Sequence, residues 1–147
     1  MTKIPKGAYT VIAGKRHRLT RPKKSYRKQL EKSLDEAIKL FVKNRDHWKC
    51  CTPNARFKCS GAISWGHLFS GCGKSLRWDT RFIFAQCQSH NNQHEHRPDI
   101  MTDWFREKFG EKLYREGKGL LWTTKKFTLA ELEQLLTKFK NGEEKRW

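Results

Sequence analysis

The sequence has no apolar run that approaches the length of a membrane-spanning helix or of the apolar region of a signal peptide. This argues against an integral membrane protein, and we expect a cytoplasmic one. The chain also lacks the signs of a secreted disulfide scaffold, because its five cysteines accompany no secretion signal and the cytosol keeps thiols reduced. Metal binding or simple burial remain as explanations for these cysteines.

Acidic residues are absent from residues 1–30, which contain ten Lys or Arg, more than half of the formal net charge of +17. Such a charge suits a polyanion, so nucleic acid is the expected partner and an anionic membrane surface is the weaker choice. Two prolines and two glycines interrupt residues 1–28, which we expect to form an extended or partly disordered basic arm. A solvated tail without a partner is the alternative. The arm residues expected to contact phosphates are Lys15, Arg16, Arg18, Arg21, Lys23, Lys24, Arg27 and Lys28.

Aromatic residues indicate a packed core. Six Trp, nine Phe and three Tyr outweigh a mean hydropathy of -0.90, and 147 residues fit one domain, expected over residues 29–147. The first helix could begin at Ser25 or at Ser33, where Glu36 would complete a capping box. Apolar residues at three- and four-residue spacing predict flanking helices at about 29–47, 98–116 and 128–141, with Gly110 as a stop and Thr128–Glu131 as a capping box.

The middle of the chain predicts a hairpin. Residues 62–69 and 80–86 are rich in aromatic and β-branched residues and predict short strands, joined by a long loop that contains glycines. A helix is expected to begin at Cys87, directly after the second strand. The fold class is therefore α+β, with a compact core at about residues 50–97 between flanking helices.

Cysteine and histidine spacing in this core predicts a metal site. Cys87 and His90 are separated by two residues, which lets both side chains of a tight turn reach one Zn²⁺. Cys59 together with Cys50 or Cys51 could supply the other ligands, and Cys72 might replace one of them. Ordinary buried thiols are the competing interpretation.

His67 and Asn91 are the candidates for chemistry. His67 ends the first predicted strand, where a neutral imidazole can be held rigidly and deprotonate a water. Asn91 follows His90 directly, so a metal at that turn would aim it back at the hairpin. A packed or surface histidine without a catalytic role is the competing interpretation.

In this order the motifs resemble the ββα-metal (HNH, His-Me finger) nucleases, and more specifically the phage NinG/Rap recombination endonuclease family. The matching pieces cover roughly half of the chain: Leu40-Phe41-Val42 with Arg45-Asp46, Gly66-His67, Leu76-Arg77-Trp78-Asp79, Gln86-Cys87-x-x-His90-Asn91, and the aromatic helix that ends at Phe109-Gly110. The resemblance implies a small zinc-stapled ββα-metal core.

The resemblance also implies roles for single residues. His67 is the general base, Asp79 orients His67 or reaches the metal, and Asn91 binds a catalytic Mg²⁺ or Mn²⁺. Phe82 stands where an HNH motif has its middle Asn, which bears on the orientation of the base. Gly66 stands where many members of the wider superfamily have a metal-binding Asp, so Glu95 and His94 are candidates for a further ligand of that ion, with exposed polar residues at a helix end as the alternative explanation. The zinc ligands implied are Cys59, Cys87 and His90 with Cys50 or Cys51.

The function implied is a structure-selective DNA endonuclease that hydrolyses branched recombination intermediates such as Holliday junctions and D-loops. A phage protein of this kind works in the host bacterial cytoplasm, and symmetric cutting of a junction favours a homodimer. Lys74, Arg77 and Arg81 of the hairpin loop join the arm as expected DNA contacts. The alternative is a non-catalytic zinc protein that binds nucleic acid; a ribosome-associated basic protein explains less.

Overall fold

The computed structural model describes residues 9–12, 15–18, 25–52 and 58–143. In the basic arm, strand β1 (Tyr9–Ile12) pairs antiparallel with β2 (Lys15–Arg18). Within the described residues, β1 and β2 are extended, as expected of this arm, and a run of β-branched residues favours their strand structure. Arg27 and Lys28, which were expected in the arm, belong to the helix that follows it. Three of the expected phosphate contacts lie outside the described residues: Arg21, Lys23 and Lys24.

Helix α1 (Tyr26–Arg45) follows the arm and has Ser25 as its N-cap. The capping box predicted at Ser33 is wrong, since Ser33 lies inside the helix. The helix begins earlier because its apolar stripe starts at Leu30, three residues before Ser33. The stripe consists of Leu30, Leu34, Ile38 and Val42, all buried.

The central hairpin consists of β3 (Ile63–His67) and β4 (Ile83–Cys87), paired antiparallel with His67 opposite Ile83. Both strands are shorter than predicted, because the connection is more structured than a loop. It contains helix α2 (Lys74–Arg77) and a 3-10 turn at Thr80–Phe82. Helix α3 (Gln88–His94) begins directly after β4, as expected.

Three further helices complete the described chain: α4 (Pro98–Phe109), α5 (Glu111–Leu120) and α6 (Leu129–Lys140). The single helix expected at about 98–116 is two helices, because Gly110 has φ 89°, a conformation that suits glycine and breaks the helix. The capping box at the start of α6 is confirmed, with Thr128 and Glu131 bonded reciprocally.

Strand β4 is buried along its whole length between two hydrophobic cores. Ile83 and Ala85 contact the core that α1 and α6 build, whereas Phe84 belongs to the core that includes Met101 and Phe105 of α4. This alternation follows from the two-residue period of a strand. The described chain is therefore an α+β fold in which helices cover both faces of a two-stranded sheet.

The end of α1 is tied to β4. Arg45 donates to the carbonyls of Thr80 (2.8 Å) and Ile83 (2.7 Å), and Asp46 Oδ2 accepts from the amide of Ala85 at 2.7 Å. The Arg45 side chain is 6% exposed and pairs with Asp46 at 2.7 Å. This clasp fixes where the following cysteines enter the central hairpin.

Within the described residues, none of the helices combines the length and the apolar character needed to cross a bilayer.

Candidate metal centre and adjacent cleft

Four side chains from three parts of the chain converge beside the central hairpin. One ligand atom each of Cys50, Cys59, Cys87 and His90 lies within 4.8 Å of the others. His90 Nδ1 is 3.5 Å from the sulfurs of Cys50 and Cys59 and 3.1 Å from that of Cys87. The four residues could hold a metal ion.

The spacing agrees with tetrahedral coordination. With metal–sulfur and metal–nitrogen bonds of about 2.3 and 2.0 Å, tetrahedral geometry separates sulfur from nitrogen by about 3.5 Å. Two of the three sulfur–nitrogen distances have that value. The chain supplies this arrangement because β4 ends at Cys87 and one turn of α3 returns His90 to the same side.

The thiols of the cluster have opposite pKa shifts. Burial and the neighbouring Cys50 raise the pKa of Cys59 to about 11. Burial also acts to raise the pKa of Cys87, but hydrogen bonds from the backbone of His90 and Ser60 outweigh it and lower the pKa to about 7. Cys87 is thus the thiol most readily converted to the thiolate that binds metal.

The other two cysteines lie outside this cluster. Cys51 packs against the core that contains Phe84, and burial, the largest cause, raises its pKa to about 12. Its amide donates to the carbonyl of Ala85 at 2.8 Å, which fixes the backbone at this point. The predicted choice between Cys50 and Cys51 is therefore resolved in favour of Cys50. Cys72 lines the neighbouring cleft instead of the cluster.

A cleft of about 340 Å³ opens beside His67 at the end of β3. His67 Nε2 lies 3.0 Å from the carbonyl oxygen of Arg77. Because a carbonyl only accepts, Nε2 carries the proton and Nδ1 keeps its lone pair. Burial lowers the pKa of His67 from its ordinary 6.5, so the ring is neutral at pH 7.

The carbonyl that holds His67 is braced from α1. Arg77 donates to both carboxylate oxygens of Asp35, at 3.1 and 2.6 Å, and Trp78 Nε1 donates to Asp35 Oδ1 at 2.8 Å. This pair of donors fixes the short helix α2 against α1. The sequence did not predict the bond from His67 to the Arg77 carbonyl, because every residue has such a carbonyl.

Asp79 was expected to orient His67 or reach a metal, and the structure places it elsewhere. Its carboxylate caps the 3-10 turn by accepting from the amide of Arg81 at 3.1 Å, and it pairs with the Arg81 guanidinium at 2.7 Å. Arg81 also pairs with Glu116. Both residues therefore join the turn to α5, and the expected orienting role belongs to the carbonyl of Arg77.

Three candidate ligands, Asn91 and His94 on α3 and Glu95 at its C-cap, line the same cleft as His67, but they are not equivalent. Asn91 and Glu95 are four residues apart and so face the same side of the helix. His94 is 6% exposed, and its Nε2 is 3.1 Å from the carbonyl of Leu68, to which it donates. His94 thus fixes the backbone next to His67 and is not available at Nε2 as a metal ligand.

Gly66 is explained by the side chains that cross it. A Cβ at this position would overlap Gln86 Oε1 and lie 3.1 Å from Asn91 Oδ1. Gln86 is buried and donates to Thr52 Oγ1 at 2.7 Å, so it has little freedom to move. An Asp at this position would not fit beside Gln86.

Phe82 has a plain packing role. It is 1% exposed and its ring lies 5.6 Å from that of Phe69 and 5.8 Å from that of Phe105. The place of the expected Asn is therefore part of the hydrophobic core.

The cationic side chains around the cleft are mostly paired. Lys74 pairs with Glu31 at 2.7 Å, Arg77 with Asp35, and Arg27 lies 3.8 Å from Glu31. Lys28 is exposed on the first turns of α1. For Lys15, Arg16 and Arg18 the structure defines only the strand.

A basic groove of about 450 Å³, which the sequence reasoning missed, lies next to α2. Its lining includes Gly73 and Lys74, whereas Gly71 and Cys72 line the cleft, so the start of α2 separates the two. The sequence signal was the pair Lys125-Lys126 before a buried Phe127. The groove is lined by Arg27, Gly73, Lys74, Leu121, Thr123, Thr124, Lys125, Lys126 and Phe127.

No protein-family model matches the sequence, and no curated protein or solved structure has significant similarity to it.

Proposed function

We propose that this protein is a metal-dependent endonuclease that hydrolyses phosphodiester bonds in DNA, with branched recombination intermediates as its substrates. The observation that carries the proposal is His67, a neutral imidazole with a free Nδ1 in an open cleft. Asn91 and Glu95 line the same cleft and are oxygen ligands of the kind that Mg²⁺ and Mn²⁺ prefer.

The proposed core is a ββα-metal finger. An antiparallel strand pair followed directly by a helix supports it, with the proposed base at the end of β3 and the proposed oxygen ligands on α3 and at its C-cap. The order of these parts is that of the NinG/Rap resemblance, in which the pair His67 and Asn91 performs the chemistry.

We propose zinc for the cluster of three cysteines and one histidine. Three thiolates and an imidazole at tetrahedral spacing form a closed structural site, which Zn²⁺ occupies with all four positions taken by protein. The ion contributes folding energy by joining the segment before β3 to the start of α3. It therefore holds Asn91 opposite His67.

In the proposed mechanism His67 is the general base. Nδ1 takes a proton from a water as the water oxygen bonds to phosphorus, while the Arg77 carbonyl stabilises the proton already on Nε2. The bond from phosphorus to the 3′ oxygen then breaks, and the leaving oxygen takes a proton from solvent. Asn91 and Glu95 would hold a divalent ion, which would supply charge stabilisation for the phosphorane-like state.

The basic groove supports binding of a phosphate backbone next to the cleft. Four of its lining residues are cationic and none is acidic, and among the described residues Glu31 pairs with two of the four, Arg27 and Lys74. A strand in the groove would enter the cleft across Gly71–Gly73. Phosphate contacts of this kind are blind to sequence and suit a structure-selective enzyme.

The test of the function is a cleavage assay on branched and linear DNA with Mg²⁺, Mn²⁺ or EDTA. We expect metal-dependent cleavage of the branched substrate. His67→Ala should lower the rate by about a hundred- to ten-thousandfold, the usual value of a general base, with DNA binding unchanged. His96→Ala is the matched control, because His96 is exposed and lies outside the lining of the cleft.

Equal cleavage by the wild type and His67→Ala would rule out this base. Loss of activity in both histidine variants would point to a folding defect instead.

The groove is tested by the salt dependence of DNA binding in EDTA, where no cleavage occurs. Changing Lys125 and Lys126 to Gln should reduce the slope of log K against log salt by about 0.9 for each lost phosphate contact. The control changes Lys112 and Lys118 on α5, which are exposed and outside the groove, to Gln. A slope that falls equally in both variants would remove the groove from the proposal.

A second candidate is a non-catalytic zinc protein that binds nucleic acid. One observation favours it: the residues that the structure describes contain no second cluster of three His, Cys, Asp or Glu ligand atoms near Asn91. Strong, salt-sensitive DNA binding without cleavage of any branched substrate in Mg²⁺ or Mn²⁺ would favour this reading.

Symmetric cutting of a four-way junction requires two active sites, so we propose a homodimer on DNA. Light scattering that shows only a monomer with and without a junction would contradict it.

A further inference from the structure

A small cavity lies between the metal cluster and the cleft and has no part in the proposed mechanism. Its volume is about 10 Å³, about what one water molecule requires. Its lining comes from Thr52, from the end of β4, from α3 and from the residues that begin α4: Gln86, His90, Gln93, His94, Arg97, Ile100 and Met101.

Four of these residues have a buried polar atom with no hydrogen-bond partner among the described residues. The atoms are Gln86 Oε1, His90 Nε2, Gln93 Oε1 and His94 Nδ1. Gln86, His90 and His94 are at most 6% exposed. Buried polar groups are nearly always paired, with protein or with ordered water, so four of them around one cavity require a common explanation.

The contacts of the other polar atoms of these side chains decide which of the four atoms donate. His90 Nδ1 faces three sulfurs, so a metal there leaves the ring proton on Nε2. His94 donates from Nε2 to Leu68, which makes its Nδ1 an acceptor. Gln86 donates its amide to Thr52, which leaves Oε1 as an acceptor. The set is one donor and three acceptors.

We propose that the cavity binds one ordered water, which accepts from His90 Nε2 and donates to two of the three acceptors. A water offers two donors and accepts at least one bond, and this complements the set. Neither a cation nor an anion fits as well, because a cation meets the His90 donor and an anion meets three acceptors.

The water connects the metal ligand to both neighbours of His67. His94 holds the carbonyl of Leu68, and Gln86 crosses over Gly66. The bound water therefore makes the position of the proposed base depend on the metal cluster. This inference rests on the metal at His90 Nδ1 and not on cleavage, so a negative nuclease assay leaves it standing, whereas a zinc count of zero removes it.

The test uses the zinc-loaded full chain and two measurements. A high-resolution crystal structure should show a water at about 2.7–3.2 Å from His90 Nε2 and from at least one acceptor. Long-range ¹H–¹⁵N NMR should find both His90 and His94 protonated at Nε2. A proton on His94 Nδ1, or a side chain that fills the cavity, would overturn the proposal.

Two variants test the link to His67. Gln93→Leu removes an acceptor that contacts neither neighbour of His67, so the ring signals of His67 should stay unchanged. Gln86→Leu removes the acceptor next to Gly66, and the same signals should shift. If both variants leave them unchanged, the link is wrong. Should Gln86→Leu fail to fold, the wild-type crystal structure and the protonation states still decide on the water.

Discussion

At the scale of single residues, the pKa of His67 would set the pH dependence of the proposed cleavage. Burial lowers this pKa below 6.5, and the base works only in its neutral form. As pH falls, the neutral form persists past 6.5 and is lost only at the lowered pKa. We therefore expect the acid limb of kcat/KM to have its midpoint below pH 6.5, and a midpoint above 6.5 would contradict the assignment.

Gly66 gives a second prediction. A methyl group here overlaps Gln86 Oε1, whose amide is bonded to Thr52 in the interior. Gly66→Ala should destabilise the fold by about 1–3 kcal/mol, the usual cost of overpacking, and thermal unfolding measures it. Gly73→Ala is the control, since nothing lies within 4 Å of its Cβ. Equal melting temperatures for the two variants would contradict this account.

The role of a residue could be predicted where it depends on the number of residues between two side chains. Cys87 and His90 were found in this way, because a two-residue gap at a strand end determines the geometry. The partner of His67 was not predictable. Asp79 was expected from the motif Leu76-Arg77-Trp78-Asp79, but its carboxylate caps a turn and pairs with Arg81. The carbonyl of Arg77 has no sequence signal.

At the scale of elements, helix α5 contains a matched pair of glycines. A Cβ on Gly117 would lie 2.5 Å from Phe82 and 2.6 Å from Phe69, whereas nothing lies within 4 Å of one on Gly119. Gly119→Ala should stabilise the protein by up to about 1 kcal/mol through helix propensity. Gly117→Ala should instead destabilise it, because overpacking costs about 1–3 kcal/mol.

Thermal unfolding of the two α5 variants should show melting temperatures that move in opposite directions, by roughly 4 °C per kcal/mol. Shifts in the same direction would mean that α5 does not pack on the two phenylalanines as described.

Elements were predictable from periodicity and less so from their ends. The stripe from Leu30 to Val42 located α1, but a serine inside the helix imitated a cap. The stop expected at Gly110 is confirmed, since α4 ends at Phe109 and Gly110 has φ 89°, but the sequence did not predict that a separate helix, α5, begins directly after it. Helix α2 was missed because four residues carry no period.

At the scale of the whole molecule, the metal cluster should control stability. Removing the metal with a chelator should lower the melting temperature, because the ion would join three segments that no disulfide connects. Cys59→Ser should reduce zinc binding below one ion per chain. Cys72→Ser, which changes a cysteine outside the cluster, should bind one zinc and respond to chelator as the wild type does.

The architecture was predictable in outline because the sheet is small and its strands are close in sequence. The assembly of the cluster was not fully predictable, since the choice between Cys50 and Cys51 depends on how the chain leaves α1. The two cores on opposite faces of β4 were also not predicted, because the sequence of a buried strand does not show which elements cover each of its faces.

The clasp of Arg45 and Asp46 on β4 has a consequence for metal affinity. Cys50 and His90 are separated by 40 positions, so a ligand pair in a free chain pays a large loop-closure entropy. The clasp closes nearly the same loop first and raises the effective concentration of Cys50 at the Cys87–His90 turn. The affinity of the proposed zinc site therefore depends partly on Arg45 at the end of α1. Arg45→Ala should speed zinc release although Arg45 is not one of the four ligands.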